Sequence, residues 1–432
     1  MKHFPLLLLL LLTLSSCLVD DCESETTYRV YDPITVPVEA YKSNTFTPET
    51  ARHLCEPSGF YVYGDLLLTV DNKAGLHITD NSDIARPEPL SFIPIPGAEG
   101  LAVRNSILYI RQFNDLLAFS LTNPQKPEFV SRQDSVFEGY YPIFRDEVGT
   151  QQIVLDYATT DRTVTYSCTD LTDEHHPMGG LGYYYRGQLL VNTDITAFSA
   201  NGGGAPEVVG QGGSLATMTI ASSTLYSLER SRVTAFDLSE PTEPTKAGTL
   251  DLPWGIETLF PRGELLFVGA QSGMHILDLE DPLNPTHLST FGHVTSCDPV
   301  VVNGDLAYVT LWGGTTCGNA RDQLEVIDIS NPAQPQSRQI VPMNKSHGLA
   351  VAEGKLFLCT ADDGLKSYEL TDTGLLGAII DVDQSVDAWD IIALPDENEL
   401  IVFQRGSLGI AQFTYSDDGR LTPVSTLEIC AQ

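Results

Sequence analysis

Basic residues are scarce in this chain of 432 residues, which contains 24 Lys and Arg against 57 Asp and Glu. The formal net charge is −33 at pH 7. Nucleic acids and anionic membrane surfaces attract basic patches, so the composition argues against both as partners. Several signatures of catalysis are lacking as well: the sequence has no Gly-x-Ser-x-Gly elbow, no Walker loop and no His-Glu-x-x-His motif.

Long apolar runs are also lacking. The leucine run Leu6–Leu12 follows Met1-Lys2-His3 and is far shorter than the roughly 20 residues of a membrane-spanning helix. A short basic start followed by a brief apolar core is typical of a secretory signal peptide. We therefore predict that residues 1–16 are a signal peptide and that the rest of the chain is exported.

The residues Leu14-Ser15-Ser16-Cys17 resemble the lipobox of bacterial lipoproteins, in which the Cys is acylated and becomes the new N-terminus. The resemblance implies fatty acyl chains such as palmitate on Cys17, and two or more chains anchor a protein stably. An ordinary secretory signal with a chance Cys is the alternative. The acidic residues after Cys17 either resemble a surface-export signal or form a solvated linker. The expectation is an outer-membrane lipoprotein of the cell envelope, periplasmic or surface-exposed.

An internal repeat organises the rest of the chain. An apolar strand, an Asp and a Pro-x-x-Pro turn recur at residues 237–244, 278–285 and 328–335, with a copy lacking the Asp at 120–127 and a weaker copy at 80–87. A second phrase, an apolar strand, a turn containing Gly and an alternating strand, precedes each of them. Four short strands in about 40 residues are typical of a propeller blade.

The repeats predict an all-β fold, a β-propeller of four-stranded blades. Innermost strands are expected near residues 60, 100, 142, 215, 258, 299, 349 and 391, which gives eight blades. Seven blades are the alternative if residues 142–200 are a decorated insertion. Residues 17–54 are expected to form a lipidated tether with an edge strand at Tyr28–Val38, and residues 55–432 the propeller, with an insertion at about 172–213.

The stretches Val326–Pro332 and Ser296–Val302 resemble the LVIVD-repeat propeller family of bacterial surface lipoproteins. The resemblance extends over roughly residues 55–430. It implies the propeller fold and carries no established chemistry to this chain.

The cysteines give one expected pairing. The family resemblance includes both Cys297 and Cys317, which flank a predicted hairpin, and implies a structural disulfide between them; two free thiols are the alternative. An exported protein lies in an oxidising compartment. Five further cysteines have no assigned partner, and their odd number requires at least one free thiol or an intermolecular bond: Cys22, Cys55, Cys168, Cys359 and Cys430.

Acidic residues are frequent at the predicted mouth of the propeller channel. In repeats aligned on their turn glycines, the residue six positions before the turn is acidic in four of seven units: Glu99, Glu257, Asp298 and Asp390. Like charges at one site raise each other's pKa, so either some of these acids bind a proton or a cation neutralises them; the candidate cations are Ca²⁺ and a cationic ligand. Four side chains that could contact a ligand, by cation–π attraction in the case of the Trp rings, lie close by in the sequence: Trp254, His293, His347 and Trp389. Mere polarity of loop tips is the alternative.

A second group of potential metal ligands, Asp173-Glu174-His175-His176, lies in the predicted insertion. Adjacent residues rarely chelate one ion together, so we expect a solvated loop there rather than a metal site.

The sequence favours a non-catalytic binding or scaffold propeller displayed on the envelope, with an unknown protein or glycan as its partner. The alternative is a metal-dependent propeller hydrolase, lactonase-like, with a calcium ion at the channel mouth and a carboxylate as base.

Overall fold

A computed structural model of the chain describes residues 23–137, 141, 143–167, 209–292, 299–312, 322–405 and 409–430. Contacts divide the chain into two units. The smaller unit comprises residues 1–36 and 154–190, and the larger unit comprises residues 37–153 and 191–432. Among the described residues no helix is long and apolar enough to cross a membrane.

The first elements precede the blades. They are strand β1 (Glu23–Pro37), helix α1 (Val38–Tyr41) and the short strand β2 (Glu49–Thr50).

The first two blades follow. Blade 1 consists of β3 (Pro57–Tyr63), β4 (Leu66–Asp71), β5 (Gly75–Asp80) and β6 (Glu88–Pro94). Blade 2 consists of β7 (Ala98–Arg104), β8 (Ile107–Gln112), β9 (Asp115–Ser120) and β10 (Glu128–Gln133).

Three strands separate blade 2 from blade 3: β11 (Ile143–Arg145), β12 (Gln151–Ser167) and β13 (Gln211–Gly212). The strands β11 and β12 pair through residues 151–153 of the larger unit. In the smaller unit β1 and β12 lie side by side, and Arg29 forms an exposed ion pair with Asp161 at 2.8 Å.

The other five blades follow without interruption. Blade 3 consists of β14 (Met218–Ala221), β15 (Thr224–Glu229), β16 (Arg232–Asp237) and β17 (Thr245–Asp251). Blade 4 consists of β18 (Ile256–Arg262), β19 (Leu265–Ala270), β20 (Gly273–Asp278) and β21 (Thr286–Gly292). Blade 5 consists of β22 (Val300–Asn303), β23 (Leu306–Leu311), β24 (Gln323–Asp328) and β25 (Gln336–Pro342). Blade 6 consists of β26 (Ser346–Ala352), β27 (Lys355–Thr360), β28 (Gly364–Leu370) and β29 (Leu376–Asp383). Blade 7 consists of β30 (Ala388–Leu394), β31 (Glu399–Gln404), β32 (Ile410–Tyr415) and β33 (Leu421–Leu427).

The repeated Asp begins the turn between the third and fourth strands of a blade. Asp278 Oδ1 accepts a hydrogen bond from the backbone N–H of Glu280 at 2.8 Å, and Asp237 does the same for Ser239 at 2.8 Å. In the copy without Asp, the hydroxyl of Ser120 accepts from Thr122 at the longer distance of 3.4 Å. The motif therefore acts through an Asx turn, the local chemistry that these residues favour.

The same turn joins each blade to the one before it. A buried or half-buried hydroxyl of one blade donates a hydrogen bond to a carbonyl oxygen in this turn of the next blade, at every junction in the ring. In order of the donor blades from 1 to 7, the pairs are Ser91–Pro124, Tyr109–Pro241, Tyr226–Pro282, Ser289–Pro332, Tyr308–Gly374, Ser367–Gly419 and Ser425–Ile84.

The ring closes where blade 7 meets blade 1. The rings of Phe60 and Phe403 stack with centroids 5.7 Å apart, within an apolar cluster that both blades contribute. A disulfide joins Cys55 to Cys430, whose Cα atoms are 4.9 Å apart although 375 residues separate them in the sequence. Cys359, in β27, is a buried free thiol. The predicted partners Cys297 and Cys317 lie outside the described residues.

The all-β propeller of four-stranded blades is confirmed, and the sheets number eight. Seven of them contain the four-stranded blades. The eighth, at the position of the predicted third unit, has three strands in the order β1-β12-β11. Because the innermost strand of blade 2, β7, contacts the innermost strand of blade 3, β14, directly, the closed ring follows the seven-blade alternative.

Candidate functional site

The innermost strands of successive blades contact one another around the channel. Because strands within a blade are antiparallel, the start of an innermost strand lies at the same end of the channel as the loop between the second and third strands. We call this end the mouth. Glu99, Glu257, His347, Trp389 and Asp390 all lie at or near the start of an innermost strand.

The channel is occupied by residues 209–215, which we call the channel segment. Gln211 and Gly212 pair with the innermost strand of blade 1. The N–H of Gly210 donates to Val103 of blade 2 at 3.0 Å, and the side chain of Gln211 donates to the carbonyl of Ala393 in blade 7 at 3.0 Å. One segment thus bonds to three blades that surround it.

Asp390 fixes the end of the channel segment. The carboxylate is fully buried and accepts hydrogen bonds from the N–H and the hydroxyl of Ser214 at 3.0 and 2.7 Å. The Ser214 hydroxyl also accepts from the N–H of Leu349 in blade 6 at 3.0 Å. Gly213 and Gly348 lie so close that a Cβ on either would overlap the Asp390 carboxylate.

Burial raises the pKa of Asp390 to about 7, although the hydrogen bonds from Ser214 and neighbouring backbone groups act in the opposite direction. Desolvation is the largest cause because a carboxylate inside a protein loses its hydration. The position of Asp390 is therefore structural: it ties blade 7 to the channel segment.

The acids that the sequence alignment placed at equivalent positions are not equivalent in the structure. Asp390 lies four residues before Leu394, the last paired residue of its strand, and the equivalent residue in blade 4 is Thr258. Glu257 is instead equivalent to Trp389. The offset arises because the turn after Leu394 has four residues, 395–398, whereas the turn in blade 4 has two, 263 and 264.

The other described acids have partners within their own blades or close by. Glu99 accepts hydrogen bonds from Arg111 and from the hydroxyl of Tyr141. Glu257 accepts from the side-chain amide of Gln271 at 2.9 Å. Within the described ranges no group of three or more His, Cys, Asp or Glu side chains is placed to hold a metal ion.

The predicted convergence of four acids stays a prediction, because Asp298 lies outside the described residues. Other sequence predictions lie outside them as well, among them His293, the lipidation site Cys17, and the pair His175-His176. Trp254 is described and lies in the linker between blades 3 and 4, where its side chain is 60% exposed.

Three aromatic side chains from consecutive blades meet at the mouth. His347 of blade 6 lies against Trp389 of blade 7 with ring centroids 4.0 Å apart. Trp312 of blade 5 packs edge-on against both, at 4.8 Å from His347 and 5.8 Å from Trp389. The guanidinium carbon of Arg405 lies 4.8 Å from the Trp389 ring. We call Trp312, His347, Trp389 and Arg405 the mouth cluster.

The mouth cluster contains buried polar atoms that the described protein does not satisfy. Nε2 of His347 and Nε1 of Trp389 are buried without hydrogen-bond partners, as is Oδ1 of the neighbouring Asp387. His347 itself is only 4% exposed. Buried polar atoms normally have partners, so such atoms on three residues at this end of the channel mark a candidate binding position.

The charge state of the cluster is set by burial and by two cations. Desolvation lowers the pKa of His347 to about 3, with further lowering by Arg405 and Lys345, so the imidazole is neutral at physiological pH. Arg405 is exposed, and among the described residues it forms no ion pair. Burial raises the pKa of Asp387, while Arg405 lowers it.

The sequence predictions included His347 and Trp389 in the mouth but missed Trp312 and Arg405. The chain has three Trp residues, and all three lie at the mouth end, so the position of Trp312 directly after the second strand of blade 5 was the available signal. For Ser214 and Gly213, local sequence gave no signal, because their contacts come from blades far along the chain.

The comparisons with known proteins agree with the fold. The sequence profile described as LVIVD repeat matches residues 295–341, a range that contains both stretches on which the resemblance rests. No curated protein matches the chain.

Solved propellers resemble the chain in structure. A protein of unknown function from Desulfotomaculum acetoxidans has a TM-score of 0.53 at 10% identity, covering 85% of this chain and 97% of its own. A putative 6-phosphogluconolactonase from Bacteroides fragilis has a TM-score of 0.51 at 12% identity, covering 89% and 94%. Sequence identities this low support a shared fold and nothing about function. The chain is a β-propeller that contains an LVIVD repeat.

Proposed function

We propose that this protein is a non-catalytic binding propeller, held on the bacterial envelope by a lipid on Cys17, that captures its ligand at the mouth cluster. The observation that carries the proposal is a set of three buried polar atoms, on His347, Trp389 and Asp387, that have no hydrogen-bond partner among the described residues. Leaving such a group unsatisfied costs about 1–3 kcal/mol, so a ligand that supplies the missing hydrogen bonds gains affinity from each.

The surroundings of the cluster also support binding. The channel segment is fixed next to Trp389, because the adjacent residue Asp390 bonds directly to Ser214. The seven interblade hydrogen bonds and the disulfide hold the blades in fixed positions. A rigid site loses little conformational entropy when a ligand binds, and rings contributed by three blades would be held in place before the ligand arrives.

The binding test uses intrinsic fluorescence of the full chain. Trp254→Phe removes the exposed Trp and leaves Trp312 and Trp389 of the mouth cluster as the only Trp residues. We expect at least one compound in a panel of saccharides, amino acids, peptides and divalent cations to change this fluorescence saturably. His347→Ala should abolish the change, and His287→Ala, a change in the fourth strand of blade 4, should retain it. The proposal would be contradicted if no compound in the panel changed the fluorescence saturably, or if His347→Ala left the change intact.

The anchor has a separate test. Cells expressing the wild-type chain and grown with a labelled fatty acid should incorporate the label into the protein. Cys17→Ala should lose the label and Cys22→Ala should keep it, because only Cys17 follows the lipobox-like residues. Label that persists in Cys17→Ala would remove the lipoprotein assignment while leaving the binding proposal intact.

A further inference from the structure

The mouth cluster combines groups that recognise different parts of one molecule. The guanidinium of Arg405 presents N–H donors and a positive charge, and the indole N–H of Trp389 is a further donor. Asp387 Oδ1 is an acceptor without a donor in the described part of the chain. The ring of Trp312 adds an apolar surface that is partly exposed.

The electrostatics separate an anionic ligand from a cationic one. Besides burial, the charges of Arg405 and Lys345 both lower the pKa of His347, and the charge of Asp362 raises it. Asp362 is itself paired with Lys345 at 3.0 Å. Arg405 is therefore the cation near His347 that has no ion-pair partner among the described residues, in a protein whose net charge is −33. An ammonium group beside the Arg405 guanidinium would be repelled, whereas a carboxylate would be attracted and could accept two parallel hydrogen bonds from it.

Asp387 requires a different group on the same molecule. Its Oδ1 atom needs a donor, and the backbone N–H of Arg405 bonds to the Asp387 carbonyl at 2.9 Å, which places Asp387 and Arg405 side by side. A hydroxyl group can donate to Asp387 without placing a second negative charge beside it. A ring that carries both hydroxyls and a carboxylate satisfies both residues.

We infer that the mouth cluster binds an acidic saccharide, with the carboxylate of a uronic acid on Arg405, a ring hydroxyl on Asp387, and the sugar ring against the aromatic side chains. This inference rests on the proposed binding function and adds the ligand class. Trp389 Nε1 and His347 Nε2 would complete their hydrogen bonds with further hydroxyl or ring oxygens of the sugar.

The test compares two trisaccharides that differ only at the acidic group, namely trigalacturonate and the corresponding neutral galactose trisaccharide. Each is titrated into the full chain carrying Trp254→Phe, with fluorescence as the readout. We expect saturable binding of trigalacturonate, and binding of the neutral trisaccharide at least tenfold weaker. Added salt should weaken the binding of trigalacturonate, because it screens the charge interaction, and should leave the binding of the neutral trisaccharide unchanged.

Variants identify the groups involved. Arg405→Gln should weaken the binding of trigalacturonate at least tenfold and leave the binding of the neutral trisaccharide unchanged. The preference for the acidic trisaccharide should therefore disappear. Asp387→Asn should weaken the binding of both trisaccharides. Arg420→Gln is the matched control, since Arg420 lies in the same blade, is exposed, and pairs with Asp418 at 3.1 Å. The melting temperature of each variant verifies that it folds, and Arg405→Lys, which keeps the charge, should retain part of the preference.

Several outcomes overturn the inference. Equal binding of the two trisaccharides would show that the cluster recognises sugars without an acidic group, and no binding of trigalacturonate would exclude the ligand class. Stronger binding of a free amino acid or of inorganic phosphate than of trigalacturonate would assign the site to another anion. In each case the panel response and its loss in His347→Ala decide separately whether the proposed binding function stands.

Discussion

Ser214 and Asp390 are separated by 176 residues, yet both the backbone N–H and the hydroxyl of Ser214 donate hydrogen bonds to the same carboxylate oxygen of Asp390, at 3.0 and 2.7 Å. This contact places the end of the channel segment against blade 7. It also places a fully buried acid at the centre of the ring, with no cation paired to it among the described residues. The free energy of unfolding should therefore depend on the protonation state of Asp390.

The first prediction concerns pH. The pKa of Asp390 is raised to about 7 in the folded protein, whereas an unfolded Asp titrates near pH 4. The folded state therefore keeps a proton that the unfolded state releases between these values, and the free energy of unfolding should fall as pH rises through this window. Asp390→Asn should reduce that slope by up to about 1.4 kcal/mol per pH unit.

Urea denaturation at pH 5, 6, 7 and 8 measures the slopes. Asp305→Asn, a change at an exposed carboxylate, should keep the slope of the wild-type chain. If Asp390→Asn follows the wild-type slope as well, the buried acid does not hold a proton and the assignment of its pKa is wrong.

The second prediction concerns the two glycines beside Asp390. Gly213→Ala and Gly348→Ala each place a Cβ into the Asp390 carboxylate, and neither glycine has a positive φ, so the effect is steric. We expect each change to lower the free energy of unfolding by about 1–3 kcal/mol, as overpacking does. Gly292→Ala meets open space and should change stability by less than about 0.5 kcal/mol. Equal, small effects at all three positions would show that the channel segment yields easily.

The third prediction concerns the hydroxyl groups between blades. Tyr109, Tyr226 and Tyr308 donate to turn carbonyls of the next blade at 2.8, 2.7 and 2.8 Å. Replacing each by Phe should cost about 1 kcal/mol, and because the three sites lie in different blades the costs should add in the triple variant. Tyr31→Phe, a half-exposed side chain of the smaller unit, serves as the control. Chemical denaturation measures the five variants and the wild type, and a triple variant as stable as the wild type would remove the role assigned to these bonds.

The fourth prediction concerns ring closure. Cys55→Ser with Cys430→Ser opens the disulfide between the first and last blades and should lower the free energy of unfolding by about 2–4 kcal/mol. Addition of a reductant should lower the melting temperature of the wild-type chain by more than that of the double variant. A reductant shift of the same size in both proteins would mean that other cysteines account for it.

Sequence alone determined the features that depend on neighbours in the chain. The Asp-Pro-x-x-Pro turns are formed by residues within eight positions of one another, as in residues 278–285, so each copy carries the full information for its turn. The apolar residues in stretches such as Leu324–Asp328 predict a strand in the same local way, and Leu324, Val326 and Ile327 are fully buried. Repetition of these signals predicted the propeller and its four-stranded blades. His347 and Trp389 were placed at the mouth because they lie at the start of such strands.

Only the tertiary structure decided which distant residues meet. The strand near residue 142 carries local β signals, but β11 pairs with β12 rather than beginning a blade, and blade 2 contacts blade 3 instead. Asp390 was aligned with Glu257 by counting from the turns, and a turn two residues longer placed it one position deeper, where burial changes its chemistry. The partners of Ser214, Cys55 and Trp312 come from blades far along the chain, and a contact between two such residues forms only when the closed ring fixes the positions of both.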